Sequence, residues 1–402
     1  MAEPFRIQTF NQIAPSGLAR FGEGLYRVGP DLAEPDAILL RSHDLRQATI
    51  PASVKAIARA GAGTNNIPVP EMSRRGVPVF NAPGANANAV KELVLAGLLI
   101  AARNLGPALA YVAALPHGAT DYDKRVEDGK KQFAGIELPG RRLGIVGLGA
   151  IGSLVADVAI KLGMDVLGFD PELTVDAAWR LPAAVRKANS VEEVLRDSDF
   201  ITLHLPLLDA TRHLVNERRL GLLRADAVLL NFARDAIVDA QAVRQALRAK
   251  RLKYYVCDFP SPELAGEAGV IALPHLGAST EEAEENCAKM VVDRLRDFLE
   301  NGTIRHSVNF PDVEMARGSP YRLAIANANV PNMLGQISTA LAHFGFNIHD
   351  MVNKSRGELA YTLVDVDSPV AADVTRAIGA IGGVLSLRLL PERDGLGKNP
   401  PA

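Results

Sequence analysis

Three side chains in this 402-residue chain have the types needed to move a proton beside a bound anion: Arg234 in NFARDAIVD, Glu263 in CDFPSPEL and His275 in LPHLGAST. An arginine offers a planar fork that takes a carboxylate at two points. A histidine titrates near neutrality and can accept or return a proton. A carboxylate beside that histidine fixes its tautomer and favours its protonated form. Taken singly, each residue has a plainer reading: a loop arginine, a surface acid, a structural histidine. The catalytic reading rests on all three following strands of one sheet, so the elements that position them decide it.

The organising element is Arg142 to Leu173, RLGIVGLGAIGSLVADVAIKLGMDVLGFDPEL. It reads as strand, glycine turn, helix and second strand. Gly147, Gly149 and Gly152 have the G-x-G-x-x-G spacing directly after an apolar run. The first glycine allows a tight turn, the second a close approach to a pyrophosphate, and the third close packing of helix on strand. A helix starting near Ile151 would aim its free N–H groups and positive dipole end at that anion, and would stop at Gly163 in a left-handed C-cap. Asp170, at the end of the next strand, suits the ribose hydroxyls of an adenosine and repels a 2′-phosphate, which favours NAD over NADP. With a nicotinamide in place, the three side chains suit oxidation of a 2-hydroxy acid. The arginine holds the carboxylate, the histidine takes the hydroxyl proton as hydride leaves C2, and the acid keeps the histidine basic.

The composition bounds the alternatives. The length suits two or three domains. A net charge of −2 supplies no basic footprint for nucleic acid. Two cysteines, Cys257 and Cys287, cannot make a disulfide framework or a cysteine-rich zinc site, so they read as small core residues in a reducing cytoplasm, and no metal site is expected. The N-terminus lacks the pattern of a signal peptide, and the most apolar stretch, Leu93 to Ala102, is too short to span a bilayer.

Along the chain, short apolar runs alternate with helical patterns, which predicts parallel sheets with ligands off the carboxyl ends of the strands. Strands are expected at 5–10, 36–40, 56–59 and 77–80, with a helix after Pro51, since proline suits a first helical turn. One long helix is expected over Ala89 to Leu105, then a polar segment from His117 to Phe133. Runs at 199–203, 227–231, 254–257 and 270–273 complete a six- or seven-stranded doubly wound sheet. Glu281 to Asn301 reads as an amphipathic helix, and residues 302–318 as a linker. The remainder, in the order β-α-β-β-α-β, reads as a ferredoxin-like module, followed by a disordered tail, GLGKNPPA.

With these segments placed, the chain resembles the D-2-hydroxyacid dehydrogenase family, above all its branch that acts on 3-phosphoglycerate and carries a C-terminal ACT domain. The resemblance rests on RSH at 41–43, AGAGTNNI at 60–67, VPVFNAPGANANAVKEL at 77–93, GLGAIG at 147–152, HLPLLDAT at 204–211, NFARDAIVD at 231–239, DFPSPEL at 258–264 and PHLGAST at 274–280. It implies an α/β architecture of two doubly wound Rossmann-like lobes plus the ACT module. The substrate lobe would be 1–88 with 286–310, the NAD lobe 89–285 and the ACT module 319–391, with closure of the lobes excluding water. It makes Arg234, Glu263 and His275 catalytic. NAD contacts would fall on Gly147, Gly149, Ala150, Ile151, Gly152, Asp170, His204, Leu205, Pro206, Thr211, Asn231, Ala233, Asp258, His275 and Gly277, with Asp258 holding the carboxamide. Substrate contacts would fall on Arg41, Ser42, Ala62, Gly63, Asn86, Arg234 and His275.

The implied reaction is NAD-dependent oxidation of 3-phosphoglycerate to 3-phosphohydroxypyruvate, the first step of phosphorylated L-serine synthesis. The alternatives are a dehydrogenase for another D-2-hydroxy acid and a non-enzymatic, NAD-sensing corepressor-like protein. Two departures bear on the choice. His43 stands where many members have a second arginine, and Glu263 lies in Pro-Glu-Leu instead of Glu-Pro. ACT domains commonly bind an amino acid between two copies, so Asn327, Asn329 and Asn347 are implied effector contacts for L-serine or another amino acid. A cytoplasmic homodimer or homotetramer, without nucleic acid or membrane, is implied as well.

Overall fold

The computed structural model describes residues 3–118 and 120–392. The chain divides into two units, residues 1–86 with 281–402, and residues 87–280.

The first unit opens with β1 (Phe5–Thr9), α1 (Pro15–Leu18), β2 (Tyr26–Gly29), β3 (Ala37–Leu40), β4 (Ala56–Arg59), α2 (Val69–Arg74) and β5 (Val79–Phe80). The strands pair in parallel in the order β2-β1-β3-β4-β5. Every residue of β3 is buried, as a strand covered on both faces requires. No helix follows Pro51. The chain turns there, with the Val54 N–H on the Pro51 carbonyl, because Lys55 N–H must already reach the Asp36 carbonyl at 2.8 Å and start the next strand.

The second unit runs through α3 (Ala87–Ala102), α4 (Leu105–Ala113), α5 (Tyr122–Gly129), β6 (Arg142–Val146), α6 (Ala150–Lys161), β7 (Asp165–Phe169), α7 (Val175–Ala178), β8 (Arg186–Lys187) and α8 (Val191–Asp197). It continues through β9 (Phe200–Leu203), α9 (Glu217–Leu220), β10 (Ala227–Asn231), α10 (Ala240–Arg248), β11 (Leu252–Cys257) and β12 (Val270–Ala272). Seven parallel strands lie in the order β12-β11-β10-β9-β6-β7-β8. The order reverses beside β6, so the glycine turn sits at the switch point where open sheets of this kind bind ligands. Apolar cores fill both faces, one from α3 and α6, the other from α8, α9 and α10. The single long helix expected over Ala89 to Leu105 is two helices. Asn104 takes a left-handed φ of 52°, and α4 leaves α3 at 71°. No single helix among the described residues is long and apolar enough to cross a membrane. The polar segment after His117 carries α5, and the polar pair Arg186–Lys187 forms an edge strand absent from the sequence reading.

The chain then returns to the first unit through α11 (Glu281–Asn301), β13 (Tyr321–Ala328), α12 (Met333–His343), β14 (Ile348–Arg356), β15 (Leu359–Val366), α13 (Ala372–Gly379) and β16 (Val384–Leu389). These last four strands form an antiparallel, ACT-like sheet in the order β14-β15-β13-β16. The period-2 alternation of β13 splits its side chains between two cores. Leu323 and Ile325 pack under α12 and α13, while Ala324 and Ala326 join the core built around α11. Residues 302–318 are not a free linker. Ile304, Phe310 and Val313 are 0 % exposed within the α11 core, and Ile304 bridges Val313. Glycine and proline gave that segment a loop composition, but its apolar residues had a core to enter. GLGKNPPA lies outside the described residues.

Arg322 ties the C-terminal sheet to α11. Its guanidinium is fully buried, pairs with Asp365 at 2.5 and 2.8 Å, and donates to the carbonyls of Asn301, Met315 and Ala316. A buried pair that loses one partner leaves an uncompensated charge, a loss of about 3–5 kcal/mol. Asp365→Asn is therefore expected to lower unfolding stability by about that amount, read as a shift in the urea midpoint at constant slope.

Candidate active site

Gly147 has φ 93°, and a Cβ there would collide with the His204 carbonyl. A Cβ on Gly152 would collide with the Gly147 carbonyl, whereas one on Gly149 would meet nothing within 4 Å. The turn is therefore closed on two sides and open on the third, where the backbone faces space. Gly149 begins α6 with no side-chain cap, so the first N–H groups of α6, from Ala150 and Ile151 onward, have no side-chain partner. Gly163 follows α6 with φ 78°. Asp170 accepts the Leu148 N–H at 2.8 Å on one oxygen and the Glu172 N–H at 3.0 Å on the other. A carboxylate has about four acceptor positions, so two remain for hydroxyl donors. These features fit a dinucleotide.

At the ends of β10, β11 and β12 the chain gathers two of the three chemistry-bearing side chains. The half-buried Arg234 guanidinium lies 5.6 Å from the centre of the Phe259 ring, and the His275 ring lies 4.4 Å from the same centre. One aromatic ring thus serves as a wall for both. Arg234 also donates to the Ala233 carbonyl at 2.6 Å. Burial pulls its pKa below the ordinary value, but an arginine remains charged. Glu263 is not joined to His275 by a hydrogen bond or ion pair. It is exposed, and its own backbone N–H and the Ser261 hydroxyl hold its carboxyl below the usual range.

Other residues singled out in the sequence hold loops. The Asp258 carboxylate, 1 % exposed, accepts the N–H groups of Leu276 and Gly277. Asn231, fully buried, accepts the Ala233 N–H and donates to the Arg234 carbonyl. Thr211 closes the 206–211 turn through the Pro206 carbonyl and the Leu208 N–H, and the Leu205 side chain lies against Gly147. His204 places Nε2 3.0 Å from the Thr202 hydroxyl, and its buried Nδ1 has no partner among the described residues.

In the first unit, Arg41 pairs with Glu284 at 2.7 Å. The N–H groups of Ser42 and His43 donate to Asn11, and Asn66 donates to the carbonyls of Arg41 and His43. The Ala62–Gly63 turn is held by Asn81 on the Ala62 carbonyl, and Asn86 stands in the turn before α3. Asn327 and Asn329 line a cavity of about 230 Å³ in the C-terminal sheet, together with Asn353 and the start of α12. Asn347 does not line it. It pairs with Asp367 at the far end of the sheet, opposite the Asn329–Glu358 end. Among the described residues, no cluster of His, Cys, Asp or Glu could hold a metal ion. Phe259, Asn11, Glu284 and Asn353 were missed by the sequence reading. The only local signal among them was an aromatic residue directly after Asp258.

Residues 87–280 are a doubly wound nucleotide-binding unit with an arginine and a histidine at its carboxyl edge, the class of NAD-linked hydroxy-acid oxidoreductases. Comparison with known proteins agrees. Residues 109–277 match the family described as D-isomer specific 2-hydroxyacid dehydrogenase, NAD binding domain. The chain is 33 % identical over 341 residues to the D-3-phosphoglycerate dehydrogenase of Haemophilus influenzae, covering 82 % of this chain and 79 % of that one. It is 32 % identical over 322 residues to the enzyme of that name from Methanocaldococcus jannaschii, covering 78 % of this chain but only 57 % of the relative's length. Its fold is shared with apo D-mandelate dehydrogenase of Rhodotorula graminis, at TM-score 0.65 and 21 % identity, over 78 % of this chain and 100 % of that one. The chain belongs to the D-isomer specific 2-hydroxyacid dehydrogenase family.

Burial without a charged partner pushes the His204 imidazole down to about 3 from its ordinary value of 6.5. The unfolded chain then binds a proton that the folded chain refuses. The stability this neutral ring contributes is complete above about pH 6.5 and is lost as the pH falls toward about 3. The His204 ring protons are expected to stay at their neutral NMR shifts from about pH 8 to about pH 5, the range in which a free histidine titrates.

Proposed function

We propose that the chain oxidises 3-phosphoglycerate at C2 with NAD as the hydride acceptor. The observation that carries this is the placement of Arg234 and His275 on one aromatic wall at the carboxyl edge of the NAD-binding sheet. Bound NAD supplies a two-electron acceptor. Arg234 takes the substrate carboxylate in its planar fork and fixes C2. His275 accepts the hydroxyl proton as the C–O bond gains double-bond character, and returns it in the reverse reaction. Glu263, an anion at neutral pH, would favour the protonated ring on reaching it. Support for this substrate comes from the names of the relatives and from Arg41, a candidate for the phosphate. His43 is the residue that leaves another 2-hydroxy acid as the competing substrate.

A positioned general base contributes about 10²–10⁴-fold. His275→Ala is expected to lose kcat on that scale while calorimetric NAD affinity stays unchanged. NADH formation over a panel of 2-hydroxy acids should rank 3-phosphoglycerate first, and an inactive panel with intact NAD binding would favour the sensor reading.

We also propose that the cavity at Asn327 and Asn329 takes a small amino acid, L-serine being the first candidate. Its polar wall of Asn327, Asn329 and Asn353, the last held from behind by the buried Thr362 hydroxyl at 2.7 Å, and the uncapped start of α12 suit a zwitterion. Asn347 could contribute only from a second copy. Calorimetry with millimolar L-serine is expected to show binding that Asn329→Ala removes.

A further inference from the structure

We propose that Glu284 sets the phosphate affinity of this chain by occupying the Arg41 guanidinium as a tethered competitor. This rests on Arg41 being the phosphate contact of the reading above. Arg41 follows β3 and Arg59 ends β4, so the two arginines stand at the carboxyl edge of neighbouring parallel strands. Glu284 comes to them from the first turn of α11, with Oε1 2.7 Å from Nη2 of Arg41. Burial raises the pKa of the Cys287 thiol, one turn further along α11, while the charges of Arg41 and Arg59 oppose that rise and Glu284 adds to it. Both arginines and the acid are therefore within Coulomb reach of one buried atom, a compact group of charges within a single unit of the chain.

The arrangement suits exchange better than a fixed brace. The backbone of the loop is held without the Arg41 guanidinium: Arg59 Nε donates to the Arg41 carbonyl at 2.9 Å, and the Asn66 amide shares that carbonyl at 3.2 Å. The Arg41 and Glu284 side chains are 36 and 41 % exposed, so their pair is solvated and opens at little cost. A phosphomonoester carries about 1.5 to 2 negative charges at neutral pH and three acceptor oxygens, against the single charge of a carboxylate, so it takes the arginine fork from Glu284. The displaced carboxylate stays tethered to α11 beside the incoming dianion. Binding therefore meets two costs that a neutral side chain at 284 would not impose. The guanidinium is occupied for part of the time, and the two anions repel each other once it is free. An uncharged group at the same place would leave the ion pair closed. The plainer role of Glu284 is to complement the positive end of α11, and that role alone predicts no change in anion affinity when the acid is removed.

Glu284→Gln in the full chain tests this, since it keeps the length of the side chain and removes its charge. The Kd for inorganic phosphate, followed by phosphorus NMR titration, is expected to fall by about 5- to 20-fold, from the lost pair and the lost repulsion together. The KM for 3-phosphoglycerate should fall by a similar factor with kcat within about threefold, the signature of a change in uniform binding. Glu282→Gln removes an equal charge from the same turn of α11, from an exposed residue that does not pair with Arg41, and should change the phosphate Kd by less than about twofold. Arg41→Gln should abolish the phosphate titration. A phosphate Kd unchanged by Glu284→Gln, or lowered equally by Glu282→Gln, would overturn the competitor while leaving Arg41 as the phosphate contact. Phosphate binding that survives Arg41→Gln intact would end both. If the wild-type protein oxidises no 2-hydroxy acid, the function proposed above fails by itself, and the phosphate titration still judges the role of Glu284.

Discussion

Parallel strands end in loops whose first peptide groups have no ladder partner, and in residues 87–280 three polar side chains at strand ends meet that demand. Asp170 after β7 takes the N–H groups of Leu148 and Glu172. Asn231 at the end of β10 takes that of Ala233, and Asp258 after β11 takes those of Leu276 and Gly277. A buried peptide group left without a partner costs about 1–3 kcal/mol, so each acceptor dictates its loop's path. The glycine turn, the arginine loop and the histidine loop are therefore three instances of one device. In each, a side-chain acceptor fixes the backbone that carries the neighbouring polar side chains.

The other unit depends on α11. Its apolar face, Val291, Val292, Leu295, Phe298 and Leu299, is 0 or 1 % exposed and packs against the first sheet and the C-terminal sheet together. The last carbonyls of a helix lack partners and carry its negative dipole end. Arg388 donates to the carbonyls of Phe298 and Leu299 with its guanidinium 4.2 Å from the centre of the Phe298 ring, and Arg322 reaches the Asn301 carbonyl. The C-terminal sheet supplies both arginines. It covers the core, caps the helix and fixes residues 302–318 by burying Ile304, Phe310 and Val313, so it is a structural part of its unit as well as the wall of a ligand-sized cavity.

This explains which features were legible beforehand. The β6-α6-β7 stretch could be read because its determinants are local: a glycine that needs φ 93°, another that ends the helix at φ 78°, and an acid that takes the N–H after the first. The parallel, doubly wound sheet followed from the alternation of strands and helices. The break at Asn104 could not be read, because the apolar pattern runs on through Leu105 and the left-handed φ follows from packing. Spacing along the chain brought Arg234 and His275 to one edge but could not reveal that Phe259 lies between them. It likewise placed Glu263 near the others in sequence without joining it to His275. A polar residue at a strand end looks the same in sequence whether it binds a ligand, a peptide group or both, and Asp258 takes two peptide groups.

Arg41 shows how the backbone can fix a charged residue's loop without fixing its side chain. Asn11 and Asn66 bind the backbone from the Arg41 carbonyl to His43, so this loop is set independently of what the guanidinium holds. The guanidinium holds Glu284 at 2.7 Å, with both side chains more than a third exposed. A pair so open to water contributes about 0–1 kcal/mol. His43 cannot supply a second fork, since its ring is stacked on Phe10 at 4.4 Å with the planes 9° apart. The loop thus carries one guanidinium with an exposed carboxylate partner. The side-chain charge at position 284, as much as the arginine itself, sets the local charge on that loop.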